Sequence, residues 1–343
     1  MSQQSNTTIS IWSRWLGAFT GFYRPDANQI RHLDPVSKFL YAARSIILVI
    51  SAQAALIAGL LAATQRQFHW LAFLLVLLGY VIAHMISNLS NDYFGYKHGH
   101  DTPDSPRMRY TVHPLASGVL TPRALVTGLA ILSLVGLAIL TFFILEHGWL
   151  AASFAIAGVG LLFLYDAVPV PLKSLGLGEI AVFIVWGPLM VGGGYAVITG
   201  TLSVDAFYIS IPYGLGVMSI LVGKHIDQRE FDLGKRIRTL PVLLGERNAR
   251  ILNLLAILLM YVVTAGLIML QYLTPFAALT LIALPRAIRA FTVLRQPRPL
   301  SPPSGYIGWP LWYHRVCLVH NRAFGWLYIL GLAIGAIWPT LHV

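Results

Sequence analysis

The sequence predicts an all-α integral membrane protein, and three observations lead to that fold class. The 343-residue chain is 57% hydrophobic and only 11% charged, whereas a soluble domain carries about 25% charged residues. Its apolar runs are continuous, which is typical of transmembrane helices rather than of the alternating strands of a barrel. The single cysteine, Cys317, excludes an internal disulfide framework and a cysteine-rich zinc site.

Nine segments are apolar over a length that can cross a bilayer, for which about 20 residues are needed. We predict one transmembrane helix in each: 38–63, 70–92, 123–145, 148–165, 178–199, 205–226, 249–270, 274–295 and 322–341. The links between them alternate between short ones and long polar ones, such as 93–122 and 227–248. All long links therefore share one side of the membrane with the N-terminus.

The basic residues divide between the two sides in the same way. Of the 24 Lys and Arg, Arg66 alone lies in a short link, which leaves 23 on the side of the long links. The positive-inside rule then predicts a multi-pass protein of the inner (cytoplasmic) cell membrane, with the N-terminus and the long loops in the cytoplasm. This topology accounts for the formal net charge of +11, so no nucleic-acid partner is expected.

Residues 1–37 are predicted to be an N-terminal cytoplasmic or interfacial segment ahead of a membrane domain at 38–343. The segment lacks the apolar core and cleavage site of a signal peptide. Its apolar side chains favour a helix in the membrane interface, and a flexible tail is the open alternative. These side chains are Trp12, Trp15, Leu16, Phe19, Phe22 and Tyr23.

The second predicted span ends in the polar sequence HMISNLSNDYFGYKHGHD. His84, Asn88 and Asp92 are spaced by four residues and share one helix face, where polar groups near a span end must face protein or water. Asp92 and Asp101 lie nine residues apart, on opposite sides of a continuous helix. They can converge only if the helix stops between them, which the glycines of this segment favour.

The sixth predicted span ends in LVGKHIDQREFDLGKRIRTLPVLLG, where acidic and basic residues are interleaved. The acids are Asp227, Glu230 and Asp232, and the bases include Lys224, Arg229, Lys235 and Arg238. Taken alone, this segment also fits an ordinary solvated loop whose acids compensate its basic charges. With Asp104, which follows the first segment, six of the 13 acidic residues of the chain lie at or just beyond these two span ends.

Two carboxylate clusters interleaved with basic residues suit a magnesium–diphosphate ligand. Mg²⁺ is held by a few carboxylates and completes its shell with phosphate oxygens and water. Lys and Arg then neutralise the remaining phosphate charge. A diphosphate with an apolar tail would place that tail among the spans, and the reaction class that follows is metal-assisted loss of diphosphate.

Several short motifs in collinear order resemble the UbiA superfamily of intramembrane prenyltransferases, and among its members most closely the 1,4-dihydroxy-2-naphthoate polyprenyltransferases. The first is NLSNDYFGYKHGHD, which is similar to the family's asparagine followed by spaced aspartates. HPLASGVLTP, YDAVPVPLKSLGLGE and WGPLMVGGGY resemble later family segments, and Asp227 with GKRIRTLPVLLG resembles the second aspartate motif. The resemblance covers about residues 38–340.

The sequence departs from the family pattern at several positions, among them the family's asparagine before the second motif, where this chain has Lys224 or Gly223. Gly95 stands in place of the second aspartate of the first motif, and His113 stands where the family usually has arginine. In the second motif, Phe231 occupies the position four residues after Asp227 where the family has another aspartate. From the family pattern we expect that an aspartate introduced at Gly95 is tolerated and adds a metal ligand.

The resemblance implies a UbiA-like fold of nine helices around a central cavity, and an enzyme. It implies Mg²⁺-dependent transfer of a polyprenyl chain from a prenyl diphosphate to an aromatic quinone precursor within the bilayer. The implied catalytic residues are Asn88, Asp92 and Asp227, and the implied metal ligands are Asp92, Asp101, Asp227 and Asp232. The implied diphosphate-binding residues are Lys97, Lys224, Arg229 and Lys235, for which topology-setting charge is the alternative interpretation.

Two other functions remain open from the sequence. The first is a membrane terpene cyclase, which uses the same diphosphate site without an aromatic acceptor. The second is a transporter, in which intramembrane charges line a pathway. The middle of spans 123–145, 249–270 and 322–341 is almost wholly apolar, which disfavours a transporter.

Overall fold

The computed structural model describes residues 10–21, 25–99, 101–166, 171–306 and 308–338. Within these ranges it is helical and contains no β-strand, which confirms the predicted fold class. The helices are α1 Ile11–Thr20, α2 Ala27–Arg31, α3 Pro35–Ala42, α4 Val49–Thr64, α5 Trp70–Lys97, α6 Pro106–Tyr110, α7 Pro122–His147, α8 Trp149–Asp166, α9 Gly178–Ile184, α10 Gly193–Thr199, α11 Val204–Gly234, α12 Leu240–Met269, α13 Leu284–Leu294 and α14 Tyr313–Ile337.

Eight helical segments in the described residues are long and apolar enough to cross a membrane. They are Ser45–Thr64, Trp70–Lys97, Pro122–His147, Gly178–Thr199, Val204–Gly234, Leu240–Met269, Pro275–Leu294 and Tyr313–Ile337. A shorter apolar helix, Trp149–Tyr165, coincides with the predicted span 148–165. Each predicted span thus overlaps an apolar helix, and eight of these helices have full spanning length.

The first predicted span, 38–63, is wrong as an uninterrupted helix. α3 ends at Ala42, and Arg44 has a left-handed backbone with φ 56° before a 3₁₀ turn, Ser45–Ile47, leads into α4. A residue with a side chain adopts this conformation at a cost and keeps it where other contacts fix it. The contacts of the Arg44 side chain, described below, provide that constraint.

The last helix begins earlier than hydropathy predicts. The predicted span starts at residue 322, whereas α14 starts at Tyr313. Its first turns contain His320 and Asn321, both fully buried, and His320 Nε2 lies 2.9 Å from the hydroxyl oxygen of Tyr261. Hydropathy misses this segment because it scores polar residues as if lipid surrounded them, whereas here they face protein.

The fifth span contains a widened π-helical stretch, Val185–Gly192, that brings α11 close to it. Pro188 lies inside this stretch, and proline removes one backbone hydrogen bond from a regular helix. A Cβ atom at Gly187 would lie 3.4 Å from the Cα of Gly214 in α11. The two backbones therefore pack closely here, which fixes the position of the helix that carries the second acidic cluster.

The N-terminal segment contains the predicted helix over part of its length. α1 begins after Ser10, whose side chain accepts a hydrogen bond from the backbone N–H of Ser13, and it ends at Gly21 in a left-handed conformation. Trp12 and Leu16 are exposed on it, as an interfacial helix requires. The expectations for Phe22 and Tyr23 and for residues 1–9 lie outside the described residues, and the boundary at 37/38 stays a prediction.

The chain divides into two compact units, which are described separately below. One comprises Met1–Val49 and Ile82–Val135, and the other comprises Ile50–Val81 and Gly136–Val343. The first unit contains Asp92 and Asp101. The second contains Asp227 and Asp232.

Candidate functional site

The first acidic cluster brings together residues that are distant in sequence. One ligand atom each from Asp92, Asp101 and His113 lies within 4.8 Å of the others. The helix α5 ends at Lys97, Gly99 turns the chain with φ 68°, and the backbone N–H of Asp101 donates to the carbonyl oxygen of Gly95 at 3.2 Å. The helix therefore ends between Asp92 and Asp101, which is the condition for their convergence, and the two carboxylates lie close together.

Asp92 is almost fully buried, with 1% of its surface exposed, and two guanidinium groups hold its carboxylate. Arg107 binds both oxygens, from Nε to Oδ1 at 2.8 Å and from Nη2 to Oδ2 at 2.6 Å. Arg44 donates from Nη2 to Oδ1 at 2.6 Å. A bidentate guanidinium pair of this kind fixes the orientation of a carboxylate as well as its charge.

Arg107 was not singled out by the sequence, and it has charge at any physiological pH. Burial alone would lower the pKa of Arg107, but the adjacent Asp92 carboxylate and its hydrogen bonds raise that pKa above the ordinary arginine value. The same guanidinium donates to Thr111 Oγ1 at 2.6 Å. Arg107 therefore joins the short helix α6 to the end of α5.

The guanidinium group of Arg44 lies against the end of α5. Its Nη2 donates to the backbone carbonyl of Asn88 at 3.1 Å as well as to Asp92. The side-chain amide of Asn88 in turn donates to the backbone carbonyl of Ala43 at 3.0 Å. The predicted catalytic residue Asn88 thus stabilises the interruption of the helix next to Arg44. This interruption directs the guanidinium group of Arg44 to Asp92.

His113 acts on Asp101 as a hydrogen-bond donor. Its Nδ1 accepts from the backbone N–H groups of Leu115 and Ala116 at 3.3 and 3.2 Å, so we assign the ring proton to Nε2. Nε2 lies 3.1 Å from Oδ2 of Asp101. The cluster therefore offers two carboxylates as metal ligands, while His113 positions one of them.

An aspartate at position 95, which the family pattern leads us to expect to be tolerated, requires the Asp101 side chain to move in this chain. A Cβ atom at Gly95 would overlap the carboxylate of Asp101, whose Cγ would lie only 2.8 Å away. Such a distance forces a displacement of Asp101. The space next to Gly95 is filled in this chain by the side chain of Asp101.

The second acidic cluster is organised around the start of the last helix. Asp227 is buried, and its carboxylate oxygens accept from the backbone N–H groups of Tyr313 at 3.1 Å and His314 at 2.9 Å. The first N–H groups of a helix lack partners within the helix and attract negative charge. Arg298 donates to the backbone carbonyl of Asp227 at 2.7 Å. Asp227 therefore caps α14 from α11.

Asp232 points to a different neighbour from Asp227. The two residues are five apart in α11, which rotates their side chains by about 140°. Asp232 is buried and accepts from the hydroxyl group of Thr239 at 3.4 Å, just before α12 begins. Among the described residues, neither acid belongs to a group of three metal-ligating side chains like that at Asp92.

The four predicted diphosphate-binding bases form no ion pair with the residues the structure describes. Lys97 is exposed, with its Nζ 5.8 Å from the centre of the Tyr93 ring. Lys235 is exposed at the end of α11, with its Nζ 5.7 Å from the centre of the Phe231 ring. Lys224 and Arg229 are half-buried. All four side chains are therefore available to bind an anionic ligand.

The second unit also buries an ionisable pair that the sequence did not predict. Glu179, fully buried at the start of α9, has Oε1 at 2.7 Å from Nδ1 of His225 in α11. The other carboxylate oxygen of Glu179 has no hydrogen-bond partner among the described atoms. Glu179 is part of a motif that resembles the family, whereas nothing in the sequence marks His225 as its partner.

The apolar helices and the ionic cluster at the end of α5 define a polytopic membrane protein with a buried charged site at a span end. Residues 52–307, more than half of the chain, match the model of the UbiA prenyltransferase family. The chain therefore belongs to the UbiA prenyltransferase family and is a prenyltransferase.

Curated relatives and solved structures agree with this membership. The chain is 25% identical over 223 residues to the 1,4-dihydroxy-2-naphthoate octaprenyltransferase of Bacillus subtilis, covering 64% of this chain and 70% of the relative. It is 32% identical over 218 residues to the Mycobacterium tuberculosis protein of the same name, covering 62% and 70%.

Two solved structures of UbiA homologs show the same fold. The apo homolog from Aeropyrum pernix K1 matches with a TM-score of 0.61 at 16% identity, covering 83% of this chain and 96% of that one. The Archaeoglobus fulgidus homolog, bound to GPP and Mg²⁺, matches with a TM-score of 0.54 at 12% identity, covering 87% and 99%.

Proposed function

We propose that this prenyltransferase carries out Mg²⁺-dependent transfer of a polyprenyl chain from a prenyl diphosphate to a 1,4-dihydroxy-2-naphthoate-like acceptor in the membrane. The names of the curated relatives support the acceptor class. The A. fulgidus homolog bound to GPP and Mg²⁺ supports the donor class and the metal. The observation that carries the proposal is the buried Asp92 carboxylate beside Asp101, held by two arginines in a chain of this family.

The donor set of the first cluster fits a hard cation. A carboxylate offers about four lone-pair directions on its two oxygens. In Asp92, Oδ1 accepts two hydrogen bonds and Oδ2 accepts one, which leaves a direction on Oδ2 for a metal. Asp101 adds a second carboxylate, and oxygen ligands are those that Mg²⁺ prefers. When bound, Mg²⁺ would neutralise charge on the leaving diphosphate.

The protein side chains then have separate tasks. Arg44 and Arg107 orient the Asp92 carboxylate and compensate its charge. Asn88 holds Arg44 in place through hydrogen bonds at the helix interruption between α3 and α4. His113 positions the Asp101 carboxylate. Lys97, Lys224, Arg229 and Lys235 are proposed to neutralise the diphosphate, and Asp227 and Asp232 are proposed as further metal ligands.

The proposed chemistry breaks the carbon–oxygen bond of the donor, forms one carbon–carbon bond, and breaks the bond between the acceptor's ring carbon and the group that this carbon loses. The bond between the first prenyl carbon and the diphosphate oxygen breaks, and the diphosphate leaves with the electron pair. A ring carbon of the electron-rich acceptor donates an electron pair to the allylic cation. For a dihydroxynaphthoate, that ring carbon then loses its carboxylate as CO₂. Electrostatic stabilisation of the leaving group by fixed cations supplies most of the rate enhancement in such a site.

We assign the reaction to the cytoplasmic face of the inner cell membrane. The support is the distribution of basic residues, since 23 of 24 Lys and Arg lie on the side of the long loops. The acidic ends of α5 and α11 belong to that side. A water-soluble diphosphate product can then leave into the cytoplasm while the prenylated product stays in the bilayer.

Product analysis tests this function. Purified protein is incubated with Mg²⁺, prenyl diphosphates of several lengths and candidate aromatic acceptors, and the products are read by mass spectrometry. We expect a prenylated aromatic that forms only when the acceptor is present. A cyclic hydrocarbon formed without the acceptor would establish a terpene cyclase, and unchanged diphosphate under all conditions would contradict enzyme activity on this substrate class.

A further inference from the structure

A basic groove lies between α13 and α14, beside the first turn of α14 that Asp227 caps. Its volume is about 690 Å³, and three arginines line it: Arg286 and Arg289 of α13 and Arg315 of α14. Tyr306, from the segment that joins the two helices, and Trp312 also line it. No acidic residue lines this basic groove, so its lining has a strongly positive charge.

The arginines of α13 have no protein partner in the described part of the chain. Arg286 and Arg289 are exposed and form no ion pair or hydrogen bond there. They are three residues apart and therefore share one helix face. Arg315 lies over the ring of Tyr306, at 4.7 Å from the ring centre. The carboxylate of Asp227 accepts hydrogen bonds from backbone N–H groups of α14 and, among the residues described, forms no ion pair with these three arginines.

The position of these arginines along their helix is unusual for a transmembrane protein. The span Pro275–Leu294 ends eight residues after Arg286, which is about 12 Å along a helix that rises ~1.5 Å per residue. Charged side chains at such a depth are costly in lipid and are kept where they pair or face a polar cavity. Arg289 lies five residues before the span end, about 8 Å along the helix. Two exposed guanidinium groups at these depths call for an anionic partner, and the described part of the chain forms no ion pair with either.

We propose that the basic groove binds the phosphate headgroup of an anionic phospholipid. Basic pockets between transmembrane helices are suited to anionic headgroups, because guanidinium pairs with phosphate bidentately. Val316 and Val319 continue the lining along α14, which gives an acyl chain an apolar surface. Free phosphate would use the arginines alone and would leave this surface exposed. The inference is independent of the proposed reaction.

Lipid binding by purified protein in detergent tests this inference. Native mass spectrometry measures retention of phosphatidylglycerol and, separately, of phosphatidylcholine with the same acyl chains. The double variant Arg286→Gln/Arg289→Gln removes two groove charges, and Arg247→Gln/Arg295→Gln is the matched control. Arg247 and Arg295 are exposed and lie outside the groove. Circular dichroism checks that both variants fold, and the single variants Arg286→Gln and Arg289→Gln repeat the test with a smaller change.

We expect the groove variant to bind phosphatidylglycerol roughly thirtyfold more weakly than wild type, since each cation contributes a similar increment to headgroup binding. The control variant should retain wild-type binding, and phosphatidylcholine should bind all three proteins alike. Equal losses in the groove and control variants, or no loss in either, would overturn the inference. Displacement of the lipid by excess inorganic phosphate would overturn the assignment to a lipid and indicate a free-phosphate site.

Discussion

The carboxylate of Asp101 occupies the space into which a side chain at Gly95 would extend. The backbone N–H of Asp101 also donates a hydrogen bond to the carbonyl oxygen of Gly95. The two positions are therefore in contact through both the main chain and the Asp101 side chain. The family motif has an aspartate at the position of Gly95. We infer that the Asp101 carboxylate lies where a carboxylate from residue 95 would extend, because the backbone of Asp101 returns to the end of α5.

Exchanging these two positions tests that inference. Gly95→Asp alone should lower the melting temperature in detergent and reduce turnover, because its side chain overlaps the Asp101 carboxylate. Gly95→Asp combined with Asp101→Gly should recover most of both losses, since one carboxylate replaces the other. Asp101→Gly alone is the control. If the double variant lost as much melting temperature and turnover as the two single variants lose together, the exchange of roles would be refuted.

Replacement of Arg107 should destabilise the first unit. Arg107→Gln leaves the buried Asp92 carboxylate with Arg44 as its remaining charged partner, and breaking a buried ion pair costs about 3–5 kcal/mol. Arg109→Gln is the matched control, because Arg109 lies two residues away and is exposed. Thermal melting of both variants measures the effect. A melting temperature for Arg107→Gln equal to that of the control would show that the bidentate pair contributes nothing to stability.

Asp227→Asn should lower stability as well as turnover. An amide can accept from one of the two N–H groups of Tyr313 and His314, but its NH₂ group opposes the other. Losing a charge-assisted bond at a buried helix end costs about 1–3 kcal/mol. Glu230→Gln is the control because Glu230 is exposed nearby in α11.

The two losses in Asp227→Asn can be separated by temperature. Turnover is measured well below the melting temperature of the variant, where the protein is folded. Normal turnover there, with a lowered melting temperature, would assign Asp227 to the cap of α14 alone and would remove it from the proposed metal ligands. Loss of turnover in the folded variant would support both roles.

The condition for convergence of Asp92 and Asp101 could be stated from the sequence, because acids on opposite sides of a continuous helix meet only if the helix stops between them, and glycine favours such a stop. Arg107 could not be predicted as their partner, since a loop arginine in a membrane protein is already explained by topology. The partners of Asp227 are backbone N–H groups of a helix that is distant in sequence. Every residue type except proline has such a group, so the amino-acid sequence does not reveal this contact. The early start of α14 was missed because its polar side chains face protein.

The side of the membrane on which each loop lies can be measured by cysteine labelling. The native Cys317 is buried, so a membrane-impermeant maleimide should report introduced cysteines at two exposed positions, His69→Cys and Ser301→Cys. We expect labelling of His69→Cys in intact spheroplasts and of Ser301→Cys only after permeabilisation. Labelling of both without permeabilisation would mean that the short helix Trp149–Tyr165 does not cross the membrane.

The most direct test of the proposed metal–diphosphate centre is turnover of Asp92→Asn in purified, folded protein. The measurement is the rate of formation of the prenylated aromatic with saturating Mg²⁺, alongside wild type, wild type treated with a chelator, and the control Asp205→Asn, whose acid is exposed at the start of α11. We predict a loss of about two to three orders of magnitude for Asp92→Asn, because stabilisation of the leaving group is removed, and reversible loss on chelation. Wild-type turnover in Asp92→Asn would contradict the assignment of the reaction to this centre.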